Sequence, residues 1–223
     1  MPESTRKLAA IMFTDIVGYS HLMSADEKKA LELLDKHDQI LHQAIINSEG
    51  KVLKKMGDAI FAEFRSSVNA VNCAIKIQLT LKEYNEGKPI DDMIIIRIGI
   101  HLGDVIVHGD DLFGEGINVA ARLEPLAPPG GICLSQAVYQ SVKSRTDISA
   151  VRIGEVELKN IIQKYTVYKI PPFYAEDLSE TTDLEQKEEH LLDFKIKGIQ
   201  NLPPPSRSVG SVFGWSLLLF HFG

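Results

Sequence analysis

The sequence predicts an α+β domain in which helices cover one mainly antiparallel sheet. Three observations lead to this prediction: extended apolar runs recur along the chain, amphipathic segments with helical spacing lie between them, and tight turns join neighbouring extended runs into hairpins. The predicted order is strand, helix, hairpin, helix, hairpin, helix, strand, helix and a final hairpin. This order suggests an α+β sandwich with helices over a mainly antiparallel sheet.

The composition is that of an ordinary globular protein. The chain has 223 residues, 44% hydrophobic and 24% charged, which suffices for one domain of about 150 to 180 residues and a tail. Its net charge is -6 and no window is strongly basic, so we expect no nucleic-acid partner. Cys73 and Cys133 lie in apolar contexts and residues 1–7 carry no signal peptide, so we expect a reducing, cytoplasmic location.

The first predicted elements are a strand and a long helix. The apolar run 8–13 predicts the strand, and residues 24–27 (Ser-Ala-Asp-Glu) predict a capping box that begins the helix, which Gly50 ends. His37 and His42 fall within the helical pattern. Neither has a partner at ligand spacing, so we interpret both as structural or surface residues.

A hairpin over residues 51–64 follows, and its turn contains Asp58. A second lone carboxylate, Asp15, ends the first predicted strand. If that strand pairs with the hairpin, two strand-end carboxylates lie side by side, which predicts a site for divalent metal ions. The alternative interpretation is that Asp15 caps a helix and Asp58 is a turn residue.

The second half of the domain continues the pattern. Ser66 and Ser67 are predicted to cap a second helix, and the β-branched run 93–100 is predicted as a central strand. Residues 102–104 are predicted to turn this strand back into a partner at 105–108. The remaining predicted elements are a helix around 117–123, a short strand at 132–134, a short helix capped by Ser135, and a hairpin formed by 151–158 and 165–170.

Three motifs occur in one order along this domain. They are Phe-Thr-Asp-Ile-Val-Gly-Tyr-Ser at 13–20, Lys-Lys-Met-Gly-Asp at 54–58, and Asp-Leu-Phe-Gly at 111–114 followed by Asn-Val-Ala-Ala-Arg at 118–122. Together they resemble the class III adenylate/guanylate cyclase catalytic domain over about residues 6–170. The resemblance implies a ferredoxin-like sheet and formation of 3′,5′-cyclic AMP and pyrophosphate from ATP, with two Mg²⁺ or Mn²⁺ ions per site.

The resemblance also assigns site residues. The pair Lys54 and Asp111 would read the purine: adenine presents an acceptor at N1 and a donor at its amino group, which an ammonium and a carboxylate complement, whereas guanine reverses this pattern. Lys55 is expected on the opposite face. The other implied residues are Asp15, Ile16 and Asp58 for the metals; Ile16, Val17, Gly18, Tyr19 and Ser20 for phosphate contacts; Asn118 for the ribose; Arg122 for charge on the α-phosphate; and Lys159 for the triphosphate.

Some points depart from the family pattern or stay open. Some relatives carry a phosphate-binding arginine where this chain has Asp104, so phosphate binding is expected to rely more on the metals and Lys159. A guanylate cyclase and a catalytically silent module of the same fold are the alternatives. In the family the metal aspartates and the other site residues come from opposite subunits, so the resemblance implies a homodimer with two composite sites.

The predicted domain spans residues 1–170, and the character of the chain changes after it. Residues 171–208 are predicted as an acidic and proline-rich linker. Residues 209–223 are apolar but shorter than the roughly 20 residues that cross a bilayer. We interpret this segment as an incomplete membrane span, an exposed peptide or a buried strand. If it is an incomplete span, a C-terminal region missing from this sequence would anchor the protein to a membrane.

Overall fold

The computed structural model describes residues 5–108, 111–144 and 148–173, without the side chains of residues 107, 108, 111 and 112. All of these residues belong to one of the two units into which the chain divides, Met1–Ser179. The strands are β1 (Thr5–Ile16), β2 (Gly50–Met56), β3 (Ala59–Phe64), β4 (Ile96–His108), β5 (Asp111–Phe113), β6 (Ile132–Ser135), β7 (Val151–Glu157) and β8 (Lys164–Ile170). The α-helices are α1 (Tyr19–Ala25), α2 (Glu27–Asn47), α3 (Ser67–Asn85), α4 (Glu115–Leu123) and α5 (Gln136–Val142).

The strands form one mainly antiparallel sheet. Its order is β2-β3-β1-β4-β6-β8-β7, with β5 paired to β4. The β4–β6 pair is parallel, whereas β1 pairs antiparallel with both β3 and β4. The predicted α+β class and the predicted pairing of the first strand with the hairpin are confirmed.

Both faces of the sheet are covered, because side chains alternate between faces along each strand. On one face, Ala10 and Met12 of β1 belong to the same buried cluster as residues of α2 and α3. On the other face, Ile11 and Phe13 share a cluster with Phe61 and with Ala120 of α4. Since Asp15 continues the alternation of Ile11 and Phe13, it lies on the α4 face at the end of β1.

The predicted turn at residues 102–104 is wrong, because β4 runs without interruption from Ile96 to His108. The long strand β1 pairs with β4 from Ile96, opposite Ile16, to Val107, opposite Thr5. Gly103 leaves room for the ring of His101, because a Cβ at position 103 would lie 2.7 Å from Nε2 of that histidine. The strand instead turns back after His108, into β5.

The predicted capping box at residues 24–27 is also wrong in its detail. Ser24 belongs to α1 and its hydroxyl donates to the carbonyl of Ser20, while Asp26 caps α2 by accepting from the amide of Lys29 at 3.0 Å. The helix ends at Asn47, before the predicted Gly50. Gly50 begins β2 under the ring of Phe64, where a Cβ would lie 2.4 Å from Cε1.

Other predictions for the framework are confirmed. The Ser66 hydroxyl caps α3 by accepting from the amide of Val68 at 3.2 Å. His37 is fully buried with Nδ1 3.0 Å from a carboxylate oxygen of Asp38, and His42 is exposed. Cys73 and Cys133 are buried, and burial raises the pKa of their thiols to about 11 and about 12.

The predicted linker lies outside the described residues apart from 171–173, and the apolar C-terminal segment lies wholly outside them. Within the described ranges, no helix combines the length and the apolar character that crossing a bilayer requires.

Candidate active site

Two aspartates meet where β1 ends and the β2–β3 hairpin turns. Asp58 follows Gly57, which has the positive φ of 65° that such a turn needs. Pairing of Thr14 with Ile60 brings the turn next to the end of β1. There the backbone amide of Ile16 donates to Oδ2 of Asp58 across 3.1 Å. The sequence-predicted neighbours Asp15, Ile16 and Asp58 therefore lie together.

The two carboxyl groups repel each other when both are charged. Burial raises the pKa of Asp15 to about 8. A hydrogen bond that protonated Asp15 donates to the Asp58 carboxylate and the negative charge of Asp58 add to the effect. The positive charge of Arg97 opposes it. The repulsion within such a half-buried pair is relieved either by a shared proton or by a bound cation. The carboxylate oxygens are also the ligands that hard divalent cations prefer.

Among the side chains that the structure describes, no third acidic, histidine or cysteine residue completes a metal cluster. The protein therefore offers a cation two carboxylates, from Asp15 and Asp58, and backbone groups next to them. This donor set is open, so it leaves coordination positions for oxygen atoms of a substrate. The residues present fit a substrate-assisted metal site rather than a closed structural one.

Two further charged residues lie at this site and were missed by sequence reasoning. Arg97 of β4 is directly opposite Asp15 in the antiparallel pair. Glu124 begins a 3₁₀ turn, Glu124–Leu126, that continues from α4, and it interacts electrostatically with Asp15, Asp58 and Arg97. Burial raises the pKa of Glu124 to about 7, against the influence of Arg97. The available signal was a lone arginine in the isoleucine-rich run 94–100.

The turn at 16–20 uses part of its backbone internally. The amide of Ile16 donates to Asp58, and the amide of Val17 donates to the carbonyl of Ile95 at 2.9 Å. Gly18 has φ 74° at the N-terminus of α1, a conformation that favours glycine. The amides of Gly18, Tyr19 and Ser20 are the remaining members of the sequence-predicted phosphate segment.

The two lysines of the hairpin point to opposite faces of the sheet, as predicted. Lys54 is opposite Phe61, on the face that carries α4, and it is exposed. Lys55 is opposite Ile60 and forms an ion pair with Asp38 of α2. Lys55 is thereby held on the other face.

The other sequence-predicted residues lie on separate elements. Asp111 begins β5, opposite His108, and its side chain is outside the described part of the structure. Asn118 is exposed and Arg122 is half-buried, four residues apart on α4. Lys159 is exposed in the β7–β8 connection, and β4 and β6 separate that hairpin from β1 in the sheet.

The sequence of this domain matches one known protein family. A family model described as "Adenylate and Guanylate cyclase catalytic domain" matches residues 1–171. The chain belongs to this family. The resemblance drawn from the three motifs is thus confirmed, and the α+β sheet described above is that of a class III cyclase domain.

Relatives of this cyclase domain are longer proteins. "Putative adenylate cyclase 3" of Rhizobium meliloti (strain 1021) is 43% identical over 168 residues, which are 75% of this chain and 29% of that protein. A second relative is serine/threonine-protein kinase pkn2 of Myxococcus xanthus, which is 27% identical over 170 residues; these residues make up 73% of this chain and 20% of the kinase. The chain thus spans less than a third of the length of these two relatives.

Solved structures share the cyclase fold. The adenylate/guanylate cyclase/hydrolase from Silicibacter pomeroyi is 34% identical with a TM-score of 0.72, covering 76% of this chain and 99% of that one. The adenylyl cyclase CyaB from P. aeruginosa is 23% identical with a TM-score of 0.67, covering 78% and 98%. At its lower identity, CyaB supports the fold alone.

Proposed function

We propose that this chain is the catalytic domain of an adenylate cyclase, which converts ATP to 3′,5′-cyclic AMP and pyrophosphate. The observation that carries the proposal is the half-buried pair Asp15 and Asp58, held at one strand end by the amide of Ile16. The similarity to a protein named as an adenylate cyclase, at 43% identity, supports the same activity.

Asp15 and Asp58, with the backbone of Ile16, would hold two Mg²⁺ or Mn²⁺ ions. Ions bound there would lower the pKa of the ribose 3′-hydroxyl and offset the negative charge of the triphosphate. The raised pKa of Asp15 supports this assignment, because a carboxyl pair that resists double ionisation gains most from bound cations.

Arg97 supplies a fixed positive charge for the triphosphate. Its register opposite Asp15 puts it beside the proposed metal site, and a guanidinium presents five N–H donors in a geometry that suits phosphate. Position 104 of β4 is an aspartate, where some relatives carry a phosphate-binding arginine. Arg97, nearer the other end of the same strand, would supply the positive charge instead. The amides of Gly18, Tyr19 and Ser20 and the ammonium of Lys159 would add further contacts.

Asn118 and Arg122 act on the reacting part of the substrate. In the reaction the 3′-oxygen loses its proton and bonds to the α-phosphorus, while the bond from that phosphorus to the pyrophosphate oxygen breaks. Asn118 would orient the ribose for this attack. Arg122, one helical turn further on α4, would stabilise the negative charge that develops on the α-phosphate.

Lys54 and Asp111 would select adenine by the complementarity of charge and hydrogen bonding described above. The separate faces of Lys54 and Lys55 support Lys54 as the reader, because Lys55 is engaged with Asp38. GTP would place its N1–H against an ammonium and its O6 against a carboxylate. We therefore propose selectivity for ATP.

The active form would be a homodimer with two composite sites. Lys54 and Asn118 are exposed, and Lys159 lies in a hairpin that two strands separate from β1. These placements support a site in which one protomer contributes Asp15 and Asp58 while its partner contributes the base and ribose contacts.

Parallel steady-state assays with ATP and GTP in the presence of Mn²⁺ test this function. We expect cyclic AMP as the product and a higher kcat/KM for ATP. A higher kcat/KM for GTP would assign the protein as a guanylate cyclase. A chain that binds Mn²⁺-ATP without turnover would be a catalytically silent module, and either result would overturn the proposal.

A further inference from the structure

We propose that Glu124 is a positioning residue of this site, whose carboxylate holds the Arg97 guanidinium where it binds the triphosphate of the substrate. The inference rests on the proposed function, because it assigns a partner to the arginine next to the metal aspartates. It concerns a residue outside the three motifs that identify the family.

The backbone of Glu124 is fixed against the sheet. A Cβ at Gly99 of β4 would lie 2.3 Å from the Glu124 nitrogen and 2.7 Å from its Cα, so the 3₁₀ turn lies directly on this strand. Leu123, just before it, is fully buried. The carbonyl of Glu124 accepts from the amide of Ala127 at 2.9 Å. Because its backbone is held in this way, the Glu124 side chain can adopt few orientations.

The charges around Glu124 differ in their effect on it. Its carboxylate is repelled by Asp58 and, through their mutual interaction, by Asp15, whereas Arg97 attracts it. A half-buried carboxylate among other acids is costly unless a cation compensates it. Arg97 is that compensating cation among the interactions described for Glu124. Arg97 and Gly99 are two residues apart on β4 and so share one face of the sheet. Glu124, whose backbone lies on Gly99, is therefore on the face from which the Arg97 side chain projects.

Metal loading makes this partner more important. Without cations, Arg97 is attracted by both Asp15 and Glu124. When Asp15 binds divalent cations, its charge is engaged and the cations repel the guanidinium. Glu124 still offers Arg97 a negative charge beside the site. The guanidinium has five N–H donors, so a carboxylate can hold it while other donors contact phosphate.

The test compares the unmodified 223-residue chain with Glu124→Gln, which removes the charge and keeps the shape. Calorimetric titration with inorganic tripolyphosphate in Mn²⁺ should show an affinity reduced by about tenfold, because a charge-assisted contact to Arg97 is lost. Titration with adenosine should be unchanged. Glu124→Asp should recover part of the affinity. Glu155→Gln, which changes an exposed carboxylate on β7, is the matched control and should bind as the unmodified chain.

A double-mutant cycle separates positioning from a purely structural role. In an Arg97→Gln background, Glu124→Gln should cause less than a twofold further loss of tripolyphosphate affinity. In steady-state assays, Glu124→Gln should raise the KM for ATP more than it lowers kcat. Thermal unfolding checks that each variant is folded, and Glu124→Ala, which also removes the carboxylate, replaces Glu124→Gln in the cycle if the latter is not.

Other outcomes would overturn the inference. Unchanged tripolyphosphate affinity in Glu124→Gln would do so, and so would losses that add in the Arg97→Gln background. A changed Mn²⁺ affinity with unchanged tripolyphosphate affinity would make Glu124 a third metal carboxylate instead. If the unmodified chain binds tripolyphosphate through this pair but forms no cyclic nucleotide, the proposed function fails and the role of Glu124 stands.

Discussion

The backbone amide of Ile16 donates a hydrogen bond to the Asp58 carboxylate across 3.1 Å, joining the end of β1 to the turn of the β2–β3 hairpin. The contact links two residues that are distant in sequence and brings the carboxyl groups of Asp15 and Asp58 together. It also means that Asp58 combines two roles, as an acceptor that fixes the turn and as a negative charge.

These two roles can be separated by substitution. Asp58→Asn retains an oxygen that can accept from Ile16 but removes the charge. We expect cyclase activity to fall by at least about 100-fold, with little change in a Tm measured at a pH below the Asp15 pKa of about 8. Asp58→Ala also removes the acceptor and should lower Tm as well. Assays of cyclic AMP formation and thermal unfolding measure both effects. Asp35→Asn, at an exposed position of α2, is the control and should change neither.

The raised pKa of Asp15 predicts how stability depends on pH. Because its folded-state pKa is about 8 and its ordinary value is 3.8, the native protein binds more protons than the unfolded chain between these values. In chelator, the free energy of unfolding contributed by this group should therefore fall as pH rises from about 4 to about 8. Asp15→Asn should remove this dependence and raise Tm at pH 8 by roughly 5–10 °C.

Added Mn²⁺ distinguishes this origin of the pH dependence from others. At pH 8 the ion should raise the Tm of the unmodified chain, because it compensates the ionised pair, and should have a much smaller effect on Asp15→Asn. A Tm that is the same for both proteins in chelator at pH 8 would show that Asp15 ionises without cost.

The proposed homodimer predicts complementation between inactive variants. Asp58→Ala damages the metal side of a composite site and Asn118→Ala damages the ribose side, so a mixed dimer retains one intact site. Random exchange produces mixed dimers in half of the molecules, and we expect about a quarter of the normal activity after mixing. Activity that stays at the level of the separate variants, although exchange is demonstrated by labelled subunits, would contradict shared sites.

Base selection can be tested on the hairpin and β5. Lys54→Glu combined with Asp111→Cys should reduce the preference for ATP over GTP by at least about tenfold, because the groups complementary to adenine are removed. The measurement is the ratio of kcat/KM for the two nucleotides. Lys51→Gln, an exposed change on the same strand, should leave the ratio unaltered. An undiminished ATP preference in the double variant would mean that other residues read the base.

Particular residues show how far the sequence predicts this site. Asp15 and Asp58 could be placed together because each ends an extended run and a hairpin favours pairing with a neighbouring strand. Arg97 could not, because its position beside Asp15 depends on the register of β1 and β4, which are 80 residues apart in the sequence. Glu124 depends further on how α4 lies on the sheet.

The fold shows the same limit. The pattern Leu-Gly-Asp at 102–104 is typical of a turn, and local chemistry alone favours that interpretation. The long partner β1 keeps the segment extended, because each of its residues finds a register partner from Thr5 to Ile16. Short-range signals such as the Ser66 cap were therefore predicted correctly, while strand length was set by a partner that the local sequence does not reveal.

The close contact between Gly99 and the backbone of Glu124 predicts that an alanine at position 99 destabilises the protein through a steric clash rather than through backbone strain. Gly99→Ala would place a Cβ 2.3 Å from a backbone nitrogen, so the 3₁₀ turn and the end of α4 would have to move. We expect a loss of about 2–4 kcal/mol in the free energy of unfolding, measured by urea denaturation. Gly87→Ala is the comparison: its φ of 73° strains an alanine but nothing lies within 4 Å, so its cost should be about 1 kcal/mol. A Gly99→Ala chain as stable as Gly87→Ala would mean that the turn shifts easily.

Because Glu124 moves with that turn, Gly99→Ala should also weaken tripolyphosphate binding, whereas Gly87→Ala should not.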